Sequence, residues 1–168
     1  VLDNQDMKIM RTPSFMAPSI PAGAMMPPPA FREGVRTSMV YLTLSEELVD
    51  EHTHLGIPGM MVHEGIPGHH LQLAIAGELE DVPEFRKHAQ VTAYAEGWGL
   101  YTERLADEMG LYSGPLERIG MLSADSLRAG RLVVDTGIHA KGWSRQEAID
   151  FFATNSPLSL AGIAAEVD

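Results

Sequence analysis

A mainly α fold with a small β element is predicted, and three observations predict it. Residues 34–44, "GVRTSMVYLTL", alternate Val35, Thr37, Met39, Tyr41 and Thr43 with Ser38, Val40 and Leu42, a β-branched and aromatic run that reads as a strand. From Ser45 onward the chain carries helical signals, with capping-box spacing at Thr43/Glu46 and again at Ser144/Glu147. Residues 1–33 are rich in proline and methionine and show no helical period.

At 168 residues the chain suits one domain. Apolar residues at 45% and charged ones at 21% mark a folding sequence, not a disordered one. The net charge of −11, with no basic stripe to receive phosphates, argues against nucleic acid as a partner. With no cysteine, disulfides and thiolate metal sites are excluded, and the compartment stays open. No apolar run reaches the roughly 18 residues that a membrane span needs.

The elements follow in order. Residues 1–33 are expected as an extended arm of polyproline character, with six prolines between Pro13 and Pro29. Residues 34–168 form the folded part. The strand needs partners, either from weak segments of this chain or from outside it. A helix should then run from Ser45 to about Leu55, a second over Met60–Gly77 interrupted at "GIPG", and a third from about Glu84 to Met109. A fourth is expected from Leu116 to about His139, a short one from Ser144 to near Asn155, and a last one in "SLAGIAAEVD".

Within the second helix lies "HEGIPGHH", His63–His70. It opens like the zinc-protease motif H-E-x-x-H, in which two histidines four residues apart bridge one metal and the adjacent glutamate takes a proton from the attacking water. Pro67 occupies the place of the second histidine. In an unbroken helix His70 would face as His63 does but about 10.5 Å further along, and His69 would point about 120° away. Pro67 cannot donate to the carbonyl of His63, and Gly65 and Gly68 flank it, so the helix is irregular here. A bulge absorbing two residues brings His69 into place; a helix that breaks and restarts would leave His70 possible.

A catalytic zinc site needs a third ligand, commonly a carboxylate. In "VTAYAEGWGLYTERL", Val91, Tyr94, Trp98, Tyr101 and Leu105 are spaced as one buried face. Opposite them Thr92, Ala95, Glu96 and Gly99 would let a neighbouring helix come close, bringing Glu96 to the metal. In "DSLRAGRLVVDTGIHAKGW", Arg128, Arg131, Asp135 and His139 share one line on a helix expected to be buried on several sides. Such a line is either a bracing Arg–Asp network or part of a site, with His139 held by Asp135 and hydrogen-bonding an oxyanion. His52, His54 and His88 are expected to be structural or exposed.

The strings "HEGIPGHHLQ", "YAEGWGLYTERL" and "RAGRLVVDTGIHAKGWS" resemble, in order and spacing over roughly residues 35–168, the bacterial DUF885 family, grouped with gluzincin-type metallopeptidases. That family carries H-E-x-x-P-G-H, matched here by His63, Glu64, Pro67, Gly68 and His69. The resemblance implies a helical, gluzincin-type catalytic core. It also implies a longer parent chain, with an R-Y…P-x-Q-A…Y segment beyond Asp168, and the cell envelope as a place to expect that parent.

The reading that results is a zinc-dependent peptidase. Zn2+ is held by His63, His69 and Glu96, Glu64 is the general base and His139 the oxyanion partner. Arg128, Arg131 and Asp135 contact a peptide substrate. Residues 1–168 alone are expected to bind zinc weakly and to lack peptidase activity, their apolar surfaces covered by missing parts of the parent or by another copy. The competing reading is a non-catalytic helical module that binds a partner through its Pro/Met-rich arm and holds no metal.

Overall fold

The computed structural model describes residues 6–20, 22–28, 37–44, 52–89 and 91–168. The predicted strand forms as β3 (Ser38–Leu42) and lies at the centre of a three-stranded sheet. Both of its partners come from residues 1–33. Strand β1 (Met7–Arg11) runs parallel to β3, with Ile9 opposite Val40, and β2 (Gly23–Met26) runs antiparallel, with Met25 opposite Val40. The expected arm is therefore built into the sheet at two points. Its prolines bracket the strands without interrupting them, the arrangement that a missing N–H allows. A 3-10 turn (Ala17–Ser19) joins β1 to β2, and the Thr43 hydroxyl ties it down by bonding Thr12 Oγ1 and the Ile20 carbonyl.

The remainder is helical: α1 (Ile57–Glu64), α2 (His69–Glu78), α3 (Glu84–His88), α4 (Thr92–Glu108), α5 (Pro115–Lys141), α6 (Arg145–Asn155) and α7 (Leu160–Val167). Most of the expected helix over 45–55, with Glu46 of its capping box, lies outside the described residues; 52–56 form a bend and turn that lead into α1. The helix expected over 84–109 is two helices. Ala89 and Val91 are extended, and the polar run Arg86–His88 has no apolar stripe to bury across that point. The capping box of Ser144 and Glu147 opens α6 as predicted, and α5 ends where Gly142 takes φ +72° and Trp143 N–H bonds the Gly137 carbonyl.

Two apolar clusters organise these helices. Val134, Ala148, Phe152 and Ile163 join α5, α6 and α7, while Ala106, Tyr112 and Met121, with Val62 packed against them, join α1, α4 and α5. The expected burial of α4 holds in part at Trp98 and Leu105, which are half-buried, and is reversed elsewhere. Val91, Tyr94 and Tyr101 are more than half exposed, and the helix instead buries Gly99, Thr102, Glu103 and Ala106. The reason is steric and electrostatic: α1 presents a histidine to α4, which only a face of small residues and a carboxylate can accept. Helix α5 is likewise not buried all round, since Leu132 is 74% exposed. Among the described residues no helix is long and apolar enough to cross a membrane.

Candidate metal centre

The chain breaks at Gly65, turns through a cis Ile66–Pro67 bond and restarts as α2 at His69. This is a break and restart, not the expected two-residue bulge. A Cβ at Gly68 would stand 1.8 Å from the His63 carbonyl oxygen, so the return is open only to glycine. The Trp98 indole N–H donates to the Pro67 carbonyl at 2.9 Å, and this bond fixes the turn against α4. Although the helix restarts, the histidine brought beside His63 is His69; the rings meet edge to face with centroids 4.7 Å apart. His70 turns the other way, into the sheet, and its Nδ1 lies 2.8 Å from Ser38 Oγ on β3.

Helix α4 completes the group. Gly99 lies against the His63 imidazole so closely that a Cβ there would stand 2.4 Å from Cε1, and this approach brings Glu96 over both rings. His63 Nε2 is 3.4 Å from Glu96 Oε2, and His69 Nε2 is 3.6 Å from Glu96 Oε1. The potential ligand atoms of His63, His69 and Glu96 all lie within 4.8 Å of one another. Both histidines are buried, whereas the Glu96 side chain is 59% exposed, so the group opens to solvent on one side.

The other nitrogen of each ring is anchored. Glu103, which is 1% exposed, accepts from His63 Nδ1 at 2.8 Å, and Arg128 donates to the same carboxylate at 2.7 Å. With the Nδ1 proton directed at Glu103, that carboxylate receives both His63 and Arg128, and Nε2 is the ring nitrogen left facing Glu96. His69 Nδ1 is 3.3 Å from Gln72 Oε1, and the Gln72 amide donates to the Tyr94 carbonyl at 2.9 Å. Sequence reasoning passed over Glu103 and Gln72. The available signals were spacing: Glu103 follows Glu96 by seven residues, on the same face of α4, and Gln72 follows its partner His69 by three, on the same face of α2.

Glu64 is half-buried at the end of α1, and its Oε2 accepts the Met25 backbone N–H of β2 at 2.9 Å. The α5 line divides. Arg128 joins Glu103; Arg131 pairs with Glu166 of α7; Asp135 and His139 are exposed and face each other at 3.7 Å. The bracing partners of the arginines are thus glutamates, not the expected aspartate. His139 lies two helical turns, about 12 Å, beyond Arg131, and no contact among the described residues joins it to the His63 group. His52 Nε2 lies 2.8 Å from the Thr43 carbonyl, His54 is exposed, and the His88 side chain is outside the described residues.

Electrostatics favour a cation between these groups. Burial works to lower the His63 pKa, but the carboxylates of Glu103 and then Glu96 outweigh it and push it up to about 9. Contact with Glu96 raises His69 against burial, and His63 and His69 together hold the Glu96 carboxyl well below the usual carboxylate range. In metal-free protein the His63 proton therefore stabilises the fold fully below its unfolded value of 6.5. That contribution is lost as pH rises through about 9. The melting temperature of chelator-treated protein should fall between pH 6.5 and 9.5, while zinc affinity, which requires loss of that proton, rises over the same range. Thermal melts with and without chelator across this range check both signs.

A second outcome follows from the opposite directions of His69 and His70. Were the group to hold zinc in the intact protein, His69→Ala should abolish it, and His70→Ala should retain it while loosening the sheet. Full zinc in the first variant and none in the second would assign the ligands the other way.

Residues 1–168 match the family described as bacterial protein of unknown function, DUF885. The chain belongs to this family. This DUF885 chain is also similar to a crystal structure titled "putative lipoprotein from Colwellia psychrerythraea", with a TM-score of 0.89 and 30% sequence identity. The match covers 99% of this chain and 28% of that one, so the DUF885 chain spans less than a third of the length of its structural relative. No curated protein matches it.

Proposed function

We propose that this chain carries the metal-binding core of a zinc-dependent peptidase of gluzincin type. The observation that carries the reading is the spacing of the His63, His69 and Glu96 group. Contacts of 3.4 and 3.6 Å are long for charge-assisted hydrogen bonds, which run at about 2.7–2.9 Å. They are made to the two oxygens of one carboxylate, and one ligand atom from each of the three residues lies within 4.8 Å of the others, so a single ion can reach all three. Anchored Nδ1 atoms, buried rings and one solvent-facing side complete a donor set of two imidazoles and a carboxylate, which suits Zn2+. When bound, zinc supplies a Lewis acid that polarises a carbonyl and makes water more acidic.

The chain's own residues do the rest. Glu103 and Gln72 fix the ring orientations, so that both Nε2 atoms face the same point. Glu64, next in sequence to His63 and on the same side as β2, takes the proton of the attacking water and delivers it to the leaving amine. Arg128 is assigned to Glu103 and not to substrate. The cell envelope is the compartment this reading favours, supported by the description of the structural relative as a lipoprotein.

The test is metal analysis of the intact protein together with hydrolysis of a peptide library. About one zinc per chain and chelator-sensitive cleavage are expected. Absence of metal would favour the competing reading of a helical interaction module.

A further inference from the structure

Strand β2 does more than complete the sheet. In an antiparallel ladder, N–H groups alternate between facing the partner strand and facing away. Thr43 N–H bonds the Ala22 carbonyl, and the register then pairs Ala24 with Tyr41 and Met25 with Val40. Met25 N–H is therefore on the side away from β3, at the free edge of β2, and it is this group that reaches Glu64 Oε2 at 2.9 Å. Strand β2 is also pressed against α1, since a Cβ at Gly23 would stand 3.2 Å from Met60 Sδ. The edge strand thus sits where it can hold the carboxylate at the end of α1.

We propose that the backbone N–H of Met25 is a positioning group for Glu64, a role that rests on the peptidase reading above. A glutamate side chain at a helix end rotates freely about its own bonds unless one oxygen is held, and here Oε2 is held at 2.9 Å by the Met25 N–H. With Oε2 held by a backbone donor, rotation of the carboxylate stops and Oε1 is left to receive a proton from water. A backbone N–H serves this purpose better than a side chain, because the sheet fixes it and it carries no charge that would compete with zinc. The part of the sequence expected as a passive arm becomes, on this account, one wall of the reaction site.

The test separates contact from role. With methionine-selective 15N labelling, the Met25 amide proton of the wild type should move upfield in Glu64→Ala, whether or not the protein is active. Met25→Pro removes the donor at an edge where no ladder bond is lost. Its kcat should fall about 10- to 100-fold, the range for a hydrogen bond to a charged group, with KM within about threefold and zinc content unchanged. Met25→Ala keeps the N–H and should retain more kcat than Met25→Pro, and an equal loss in both would assign the effect to the side chain and overturn the backbone role. An amide that does not move in Glu64→Ala would overturn the contact, and Met25→Pro with wild-type kcat would overturn the role, the peptidase reading standing in either case. An intact parent protein that cleaves no peptide would overturn that reading and this role together, while the amide shift still reports the contact.

Discussion

Under the proposed peptidase reading, Glu64→Gln in the intact protein should lose about 10²–10⁴-fold in peptide hydrolysis and keep its zinc. The two halves of this expectation have different causes. Glu64 is not one of the three groups whose ligand atoms converge, so the metal set is untouched by the change. The glutamine oxygen can still accept the Met25 N–H, so the side chain should stay in position. What disappears is the ability to take a proton, because an amide is not a base near neutral pH. Metal analysis and kcat/KM measured on the same preparation decide the matter. Loss of zinc in this variant would make Glu64 a ligand and displace Glu96 from that role.

The largest effect on stability is expected at Glu103. Its carboxylate is almost wholly buried and faces two donors, His63 Nδ1 and the Arg128 guanidinium. Glu103→Ala leaves both without an acceptor, and removing one partner of a buried charged pair costs about 3–5 kcal/mol. For a chain of this size that corresponds to a fall of roughly 6–20 °C in melting temperature. Zinc affinity should drop as well, by about 10- to 100-fold, because the His63 ring loses the bond that aims Nε2. Glu103→Gln retains an acceptor for Nδ1 and should lie between the alanine variant and wild type. Denaturant unfolding combined with competition for zinc measures both effects. A Glu103→Ala protein as stable as wild type would mean that Arg128 and His63 find other partners.

The helical class, strand β3 (Ser38–Leu42) and the capping box at Ser144 were legible because each depends on local chemistry. Side-chain period and cap geometry are set within a few residues. Membership of DUF885 was legible for the same reason, carried by short strings of fixed spacing. The burial of α4 was misread because 3-4-3-4 spacing identifies a face without saying what packs on it. In the tertiary structure Val91, Tyr94 and Tyr101 of that face are exposed and Trp98 is half-buried against the Pro67 turn, while the face with Gly99 and Glu103 is buried, since a charged imidazole can be accommodated only where a carboxylate is available.

Strands β1 and β2 escaped notice because "MKIMR" and "GAMM" have no two-residue alternation; they exist through pairing with β3, a contact across 31 positions for β1. The choice of His69 over His70 also belongs to tertiary structure. Helical geometry alone aimed neither at His63, and the turn through Pro67, held by Trp98 from another helix, rotates the restarted α2 until His69 meets Glu96 and His70 meets the sheet. By itself the sequence determined which residues could take part in such chemistry. Which of them meet was decided by long-range packing, because distance between helices is a property of the core and is not encoded in the spacing of any one segment.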